Sequence, residues 1–144
     1  MNNITKEMIA QHQLVNRILL DFEKVPENDL ENIRNIFTLF KDNWMRHMLL
    51  EENNIFPITD ENNMREKREL NNLLKDHKDL KEIIFNLEED VKAERKPDIK
   101  VFREMLISHE DREIQGFYPL LDKRLSTEDK NKILQTIKNV KLRY

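Results

Sequence analysis

Apolar side chains recur about every 3.6 residues along most of the chain, and no stretch alternates between polar and apolar positions as a strand would. This period predicts four long amphipathic helices and a shorter fifth one. We expect them to cover residues 5–24, residue 28 to just before Pro57, residues 59–60 to Lys96, a helix from Pro97 and one from Ser126. Helices joined by short connections in this way predict an all-α, up-down-up-down four-helix bundle with a short C-terminal fifth helix.

Each predicted helix carries one apolar stripe, which we expect to face the interior of the bundle. The stripe residues are Ile4, Met8, Val15, Ile18, Leu19 and Phe22; Ile33, Ile36, Phe37, Phe40 and Trp44; Leu70, Leu73, Leu74, Leu80, Ile84 and Leu87; Val101, Phe102, Met105 and Leu106; and Ile133, Ile137 and Val140. No linker-like stretch divides the sequence, and we therefore expect residues 1–144 to form one domain.

Composition narrows the function classes. The net charge of −3 argues against nucleic acid as a partner, because phosphate binding needs a surplus of positive charge. No apolar run is long enough for a membrane span, and the N-terminal residues do not read as a secretory signal. We therefore expect a cytoplasmic protein. The chain has no cysteine, which excludes disulfides and thiolate metal sites within it.

One pattern occurs twice. The stretch HMLLEENNIFP at residues 47–57 returns in outline as HEDREIQGFYP at residues 109–119. Both copies contain His, three residues, Glu, three residues, an apolar residue, an aromatic residue and Pro. The other two of the four histidines are His12 and His77, one in each remaining long helix. Each follows an apolar residue by three positions, a spacing that puts both on one helix face, and so we expect all four histidines to point inward. These apolar residues are Ile9, Trp44, Leu74 and Leu106.

A single histidine on an apolar face is most often a hydrogen-bonded core residue. Four imidazoles and two carboxylates in one core are costly to bury unless they are paired or bound to metal, and no inward Arg or Lys is expected. Imidazole and carboxylate ligands suit iron, manganese or zinc, and six ligands are too many for one tetrahedral zinc. The sequence therefore predicts a site for two metal ions made of His12, His47, Glu51, His77, His109 and Glu113.

Two other metal motifs do not fit. His109 and Glu110 look like the start of the zinc-protease motif HExxH, but position 113 holds Glu instead of the second His. The ferritin-like di-iron bundles use Glu-x-x-His, and no histidine in this chain has Glu three positions before it.

With these residues the chain resembles the hemerythrin-like family, also called the HHE cation-binding domain, over roughly residues 12–122. The resemblance implies a non-haem centre of two iron ions with an oxo or hydroxo bridge. Manganese or zinc could take the place of the iron ions. It further implies that Glu51 and Glu113 bridge the ions and that the four histidines are terminal ligands.

The sequence departs from the oxygen-carrying hemerythrins at one position. Those proteins have a further histidine one turn before the ligand of the third helix, where this chain has Leu73. The remaining ligand set resembles that of the di-iron domain of the iron–sulfur-cluster repair proteins, although their Cys-containing domain is missing here. The resemblance then implies two five-coordinate irons, each with room for a small ligand such as O₂, NO or peroxide.

Three functions remain open at this point. The first is reversible binding of O₂ or NO in sensing, buffering or a stress response. The second is a redox enzyme that reduces NO or peroxide or repairs iron–sulfur clusters, with an unknown protein redox partner. The third is an interaction bundle in which the metal only stabilises the fold. Tyr118 follows Glu113 and could place a phenol near the site, although a plain core position is the more common reason for such a residue. We expect helical phase to turn Glu52 and Glu110 away from the site.

Overall fold

The computed structural model describes residues 2–144, and within this range every regular element is helical. The α-helices are α1 (Ile4–Lys24), α2 (Leu30–Leu50), α3 (Met64–Lys92), α4 (Lys100–Arg112), α5 (Tyr118–Arg124) and α6 (Thr127–Asn139). Two π-helical segments follow α2 and α4; the first π segment is Glu51–Ile55 and the second is Glu113–Phe117. The predicted all-α bundle with a short C-terminal helix is confirmed.

Short polar residues cap the helices where the sequence offers them. The side chains of Asn3, Asp29 and Ser126 accept hydrogen bonds from backbone N–H groups in the first turns of α1, α2 and α6. The third long helix begins at Met64, because Asn63 caps it through the N–H groups of residues 65 and 66. The expected start at residues 59–60 was therefore too early.

The connection between α3 and α4 is longer than the sequence predicts. The chain leaves α3 after Lys92 through Glu94, whose φ of 60° is left-handed and incompatible with continuing the helix. Pro97 is buried but does not start α4. Instead Asp98 accepts a hydrogen bond from the N–H of Lys100 at 3.0 Å, and this local turn delays the helix to residue 100.

Helices α1 and α2 form one hairpin, and α3 and α4 form the other. A first apolar cluster fills the end of the bundle that contains the α1–α2 and α3–α4 connections. Phe102 is central to it, since its ring packs edge-on against Phe40 at 5.4 Å and Trp44 at 5.8 Å between centroids. Phe40 and Trp44 are therefore core residues. They lie on one side of the histidine layer, the level of the bundle that contains the four histidines.

A second apolar cluster lies at the opposite end of the bundle. It joins the start of α1 to the two π segments, α5 and α6, with Ile4, Met8, Leu73, Phe117 and Leu121 among its members. Asp122 of α5 ties this end together by accepting hydrogen bonds from the N–H groups of residues 4 and 5, at 2.9 and 3.0 Å. Along α1 and α3 the histidines fall between the two clusters, so a polar layer crosses an otherwise apolar bundle.

Two stripe residues were wrongly assigned to the interior. Leu74 is 41% exposed and Val101 is 62% exposed, whereas their neighbours Leu73 and Phe102 are fully buried. The error has a simple cause: a run of two adjacent apolar residues leaves the helical phase undefined by one position, and only one member of each pair can face the core. Leu74 is the residue three positions before His77, but His77 is buried all the same, because Leu73 and Leu80 lie on the same inner face of the helix.

Candidate metal centre

The two predicted bridging carboxylates each begin a π segment. Glu51 and Glu113 are the first residues of these segments, and their carbonyls accept from the N–H five residues later, on Phe56 and Tyr118. Proline directly follows Phe56 in the first copy and Tyr118 in the second. A proline ring inside an α-helix clashes with the carbonyl four residues earlier, and a wider π turn accommodates it. The repeated aromatic-Pro pair thus accounts for the local geometry at both carboxylates.

All four imidazole rings turn Nε2 toward a buried carboxylate. Oε1 of Glu113 lies 3.1 Å from Nε2 of His12 and 3.4 Å from Nε2 of His109. Oε1 of Glu51 lies 3.3 Å from Nε2 of both His47 and His77. Both carboxylates are fully buried, and each ring is at most 5% exposed. The structure therefore brings all six sequence-predicted residues together in one layer.

The Nδ1 atoms point away from the centre of this layer. His47 Nδ1 lies 2.8 Å from the amide oxygen of Gln11, and His109 Nδ1 lies 3.0 Å from the carboxylate of Asp76. These contacts assign the N–H to Nδ1 in both rings and leave the Nε2 lone pair free for a metal. Arg112 holds Asp76 in place through contacts of 2.7 and 2.8 Å.

Glu52 and Glu110 lie behind the other two rings. A carboxylate oxygen of Glu110 is 4.0 Å from His12 Nδ1, and one of Glu52 is 3.7 Å from His77 Nδ1. Neither residue reaches the centre, as helical phase predicts. Glu110 is nevertheless buried, where it accepts a hydrogen bond from Asn16 at 2.9 Å. Helical phase therefore turns Glu110 away from the centre but not into solvent.

The hydroxyl of Tyr118 contacts both carboxylates. It donates to Glu51, and it lies 2.8 Å from Oε2 of Glu113. The residue is fully buried, and its ring stacks near His12 with centroids 6.4 Å apart. Burial and the charge of Glu51 raise the pKa of the Tyr118 phenol well above its ordinary value, so the phenol remains a donor.

The electrostatics favour an ionised Glu51 and a neutral His109. Burial alone would raise the pKa of Glu51, but the favourable interaction with His47 and His77, whose Nε2 atoms lie against its Oε1, holds that pKa well below its ordinary value. Burial lowers the pKa of His109 despite the opposing hydrogen bond to Asp76. Ionised carboxylates and neutral imidazoles are the protonation states that bind a cation.

Ligand atoms from the six residues fall into two groups whose members lie within 4.8 Å of one another. One group is Glu51, His77, His109 and Glu113, and the other is His12, His47 and Glu113. Glu113 belongs to both groups. Oε1 of Glu51 and of Glu113 and Nε2 of His12 are buried without a hydrogen-bond partner. Buried, unpartnered lone pairs converging from nitrogen and oxygen ligands fit a pair of cations that share a carboxylate.

The sequence does not single out Gln11 or Asp76. Both polar side chains stand directly before a histidine, and each accepts a hydrogen bond from the histidine of the next helix. The available signal was that a polar residue directly precedes both His12 and His77. Because one of these residues is an amide and the other a carboxylate, the correspondence is not obvious from the sequence.

Comparison with family models places the chain in a known family. The model of the hemerythrin HHE cation binding domain covers residues 3–121. The chain belongs to this family. The match includes all six residues of the histidine layer, and a cation-binding function follows from it together with the buried cluster. Comparisons with curated proteins and with solved structures gave no significant match.

The family assignment agrees with the location of the HHE residues in the bundle. Each long helix supplies one histidine, and the two π segments supply the glutamates. Among residues 2–144, no helix combines the length and the apolar character needed to cross a membrane.

Proposed function

We propose that this HHE domain holds two iron ions between its four histidines and binds a small ligand such as O₂, NO or peroxide, in sensing, buffering or a stress response. The observation that carries the proposal is the position of Glu113, whose carboxylate belongs to both ligand groups. A shared carboxylate is what a pair of ions a few ångströms apart requires, since two separate mononuclear sites would each need their own.

The choice of iron rests on the donor atoms and their surroundings. Imidazole and carboxylate without thiolate suit iron, manganese and zinc alike. Iron, unlike zinc, can also supply reversible electron transfer to O₂ or NO. The layer is closed by apolar clusters on both sides, and the ligand residues are almost fully buried. Such surroundings exclude bulk water and admit small neutral molecules more readily than charged ones.

The protein's own residues support ligand binding in two ways. The four rings are held with Nε2 inward, so no rearrangement is needed to bind the ions. Leu73 is fully buried one turn before His77, where it leaves an apolar surface instead of a further nitrogen ligand. A coordination position that the protein leaves open is the position that an added ligand takes.

A redox enzyme that uses the same centre is the second candidate, and Tyr118 is the observation that favours it. Its hydroxyl is a buried hydrogen-bond donor in contact with both carboxylates, and such a donor can stabilise negative charge that develops during reduction of NO or peroxide. This candidate also requires an electron donor, whose docking surface the sequence does not reveal.

Metal analysis and optical spectra of the iron-loaded protein test these proposals. The protein is loaded anaerobically, its iron content is measured, and its spectrum is recorded before and after admission of air. We expect about two irons per chain and the charge-transfer absorption of a carboxylate-bridged ferric pair. Absorption that disappears when O₂ is removed supports binding, and absorption that disappears only with reductant supports the enzyme.

Two outcomes would overturn the proposal. One iron per chain, or none, would contradict a two-iron centre. If zinc binds as tightly as iron and no small ligand changes the spectrum of the iron form, the metal serves the fold alone.

A further inference from the structure

The two hairpins offer the same ligand types but differ directly behind the rings. In each hairpin the residue before the first histidine accepts a hydrogen bond from the second histidine. In the α1–α2 hairpin this residue is Gln11, at 2.8 Å from His47; in the α3–α4 hairpin it is Asp76, at 3.0 Å from His109. The geometry is thus repeated, whereas the chemistry changes from a neutral amide to a carboxylate.

A carboxylate acts more strongly on a ligating imidazole than an amide does. It stabilises the Nδ1–H tautomer by a charge-assisted hydrogen bond and makes Nε2 a better electron donor to a metal. Asp76 is also well positioned for this role, because its side chain is only 14% exposed and Arg112 contacts both of its oxygens. The residue that corresponds to Arg112 in the first copy of the repeat is Leu50, which cannot hold a carboxylate.

The inner ligand atoms also favour the position between His77 and His109. Both carboxylates lie within 4.8 Å of every ligand atom around His77 and His109, while only Glu113 does so around His12 and His47, where Glu51 Oε1 contacts His47 alone, at 3.3 Å. An additional anionic ligand favours binding of a divalent cation. This observation is independent of Asp76, since it concerns only the inner atoms.

We propose that the two metal positions are unequal, that the position between His77 and His109 fills first, and that Asp76 is the positioning residue that makes it the tighter one. The inference rests on the proposed two-ion centre and adds an order of occupancy to it. The chain then has a half-loaded state with one defined ion, bound by the second hairpin.

The remaining charged neighbours do not reverse this order. Glu110 faces His12 at 4.0 Å and Glu52 faces His77 at 3.7 Å, so each hairpin has one carboxylate beyond hydrogen-bond distance. Asn16 donates to the first and Lys81 lies 3.5 Å from the second, which partly satisfies both. Their contributions to the two positions are therefore similar, and the contrast between Gln11 and Asp76 remains.

The test is a zinc titration of metal-free protein with ¹⁵N-labelled histidine, followed by NMR. The four histidines of the chain all lie in the layer, so four pairs of ring signals report on both positions. His→Gln variants assign the signals. We expect the Nε2 signals of His77 and His109 to shift during the first equivalent of zinc, and those of His12 and His47 during the second.

Two reciprocal variants test the role of Asp76. In Asp76→Asn the carboxylate becomes an amide, and we expect the affinity at the second-hairpin position to fall by about 10- to 100-fold, which removes the order of filling. In Gln11→Glu we expect a rise in affinity at the other position. Glu82→Gln is the matched control, because it removes one negative charge from an exposed position of α3 and should leave the order unchanged.

The outcomes separate this inference from the proposed function. If all four histidines shift in parallel, or if His12 and His47 shift first, the inference fails although two ions still bind. If Asp76→Asn keeps the wild-type order and affinity, Asp76 is not the residue responsible. If no histidine signal shifts with zinc or with ferrous iron, the two-ion centre itself fails. Circular dichroism of each variant shows that the bundle remains folded.

Discussion

The two halves of the bundle are copies of one design that differ in their details. Each half is a helical hairpin that ends in a π segment, and each supplies two inward histidines and one buried glutamate. In each half the aromatic residue before the proline packs near a histidine of the other half. Phe56 lies 5.2 Å from His77, and Tyr118 lies 6.4 Å from His12, between ring centroids.

The differences lie outside the six ligand residues. Phe56 has no hydroxyl where Tyr118 has one, and Gln11 is neutral where Asp76 is charged. The repeated pattern determines which atoms face the centre, whereas the residues around that pattern determine how alike the two positions are. Variants of single residues can therefore alter one half while the other serves as an internal reference.

The largest effect is expected from the two glutamates. Glu113 belongs to both ligand groups and Glu51 to one. We expect Glu113→Gln to weaken both metal positions by more than about 100-fold, and Glu51→Gln to weaken mainly the position at His77 and His109. Metal content after dialysis should fall to none in the first variant and to about one ion in the second.

Glutamine keeps the size of the side chain, so both variants should fold. Equal metal loss in the two variants would contradict the unequal roles of the glutamates. In that case both carboxylates bridge in the same way, and the two halves are more symmetric than the geometry of the ligand atoms indicates.

The next largest effect concerns the hydroxyl that only the second half possesses. Tyr118→Phe leaves the ring in place but removes the donor to two buried carboxylates. Because a hydrogen bond to a charged group contributes about 1.5–3 kcal/mol, we expect the free energy of unfolding of the metal-free protein to fall by about that amount. Urea denaturation of both proteins measures the difference.

The matched control is Tyr144→Phe, which removes the hydroxyl of the other tyrosine in the chain. Tyr144 is 55% exposed and its contact with the half-buried Asp21 is open to solvent, so water can replace that contact. We expect a change within about 0.5 kcal/mol there. A similar loss in both variants would mean that the Tyr118 hydroxyl has no special role at the carboxylates.

Much of this fold could be predicted from the sequence, because apolar residues at helical spacing are compatible with few structures other than an amphipathic helix. The start of α1 and the cap of α6 at Ser126 fall at or next to the expected residues. The errors occur where local hydrogen bonding decides, as at Asn63, which caps α3, and at Asp98, which delays α4. Such choices depend on one or two contacts that periodicity does not register.

The convergence of the six predicted residues could also be foreseen, since each histidine shared a face with core residues. The surroundings of the rings could not. Whether Asp76 reaches His109 depends on the packing of α3 against α4, which brings together side chains 33 residues apart. The π geometry at Glu51 and Glu113 was equally hidden, although the proline six residues after each glutamate was its signal.

A smaller effect is expected on the pH dependence of the metal-free protein. The folded protein holds the pKa of His109 below its ordinary value of 6.5. As pH falls from that value, the unfolded chain takes up a proton that the folded chain resists, and the free energy of unfolding decreases. Asp76 opposes this shift, so we expect a larger decrease in Asp76→Asn than in the wild-type protein.

Urea denaturation at a series of pH values between about 7 and 5 measures this decrease. Asp76 itself titrates lower, because its folded pKa lies below 3.8, and the stability it contributes is lost only as pH falls through that folded value. The two effects therefore occupy separate pH ranges. Identical pH profiles for the wild-type protein and Asp76→Asn between about pH 7 and 5 would contradict the coupling of Asp76 to His109.

The smallest effect is expected at Gly116, which lies in the second π segment where the first copy of the repeat has Asn54. A Cβ at Gly116 would come within 3.0 Å of the Glu69 carboxylate, the flexible end of a side chain that can turn toward solvent. Alanine gains about 0.5–1 kcal/mol over glycine in a helix, so Gly116→Ala should stabilise the protein by less than about 1 kcal/mol. Asn54→Ala, made in the exposed part of the first π segment, is the matched control. A loss of stability in Gly116→Ala alone would show that Glu69 is fixed in place and that the second π segment depends on that contact.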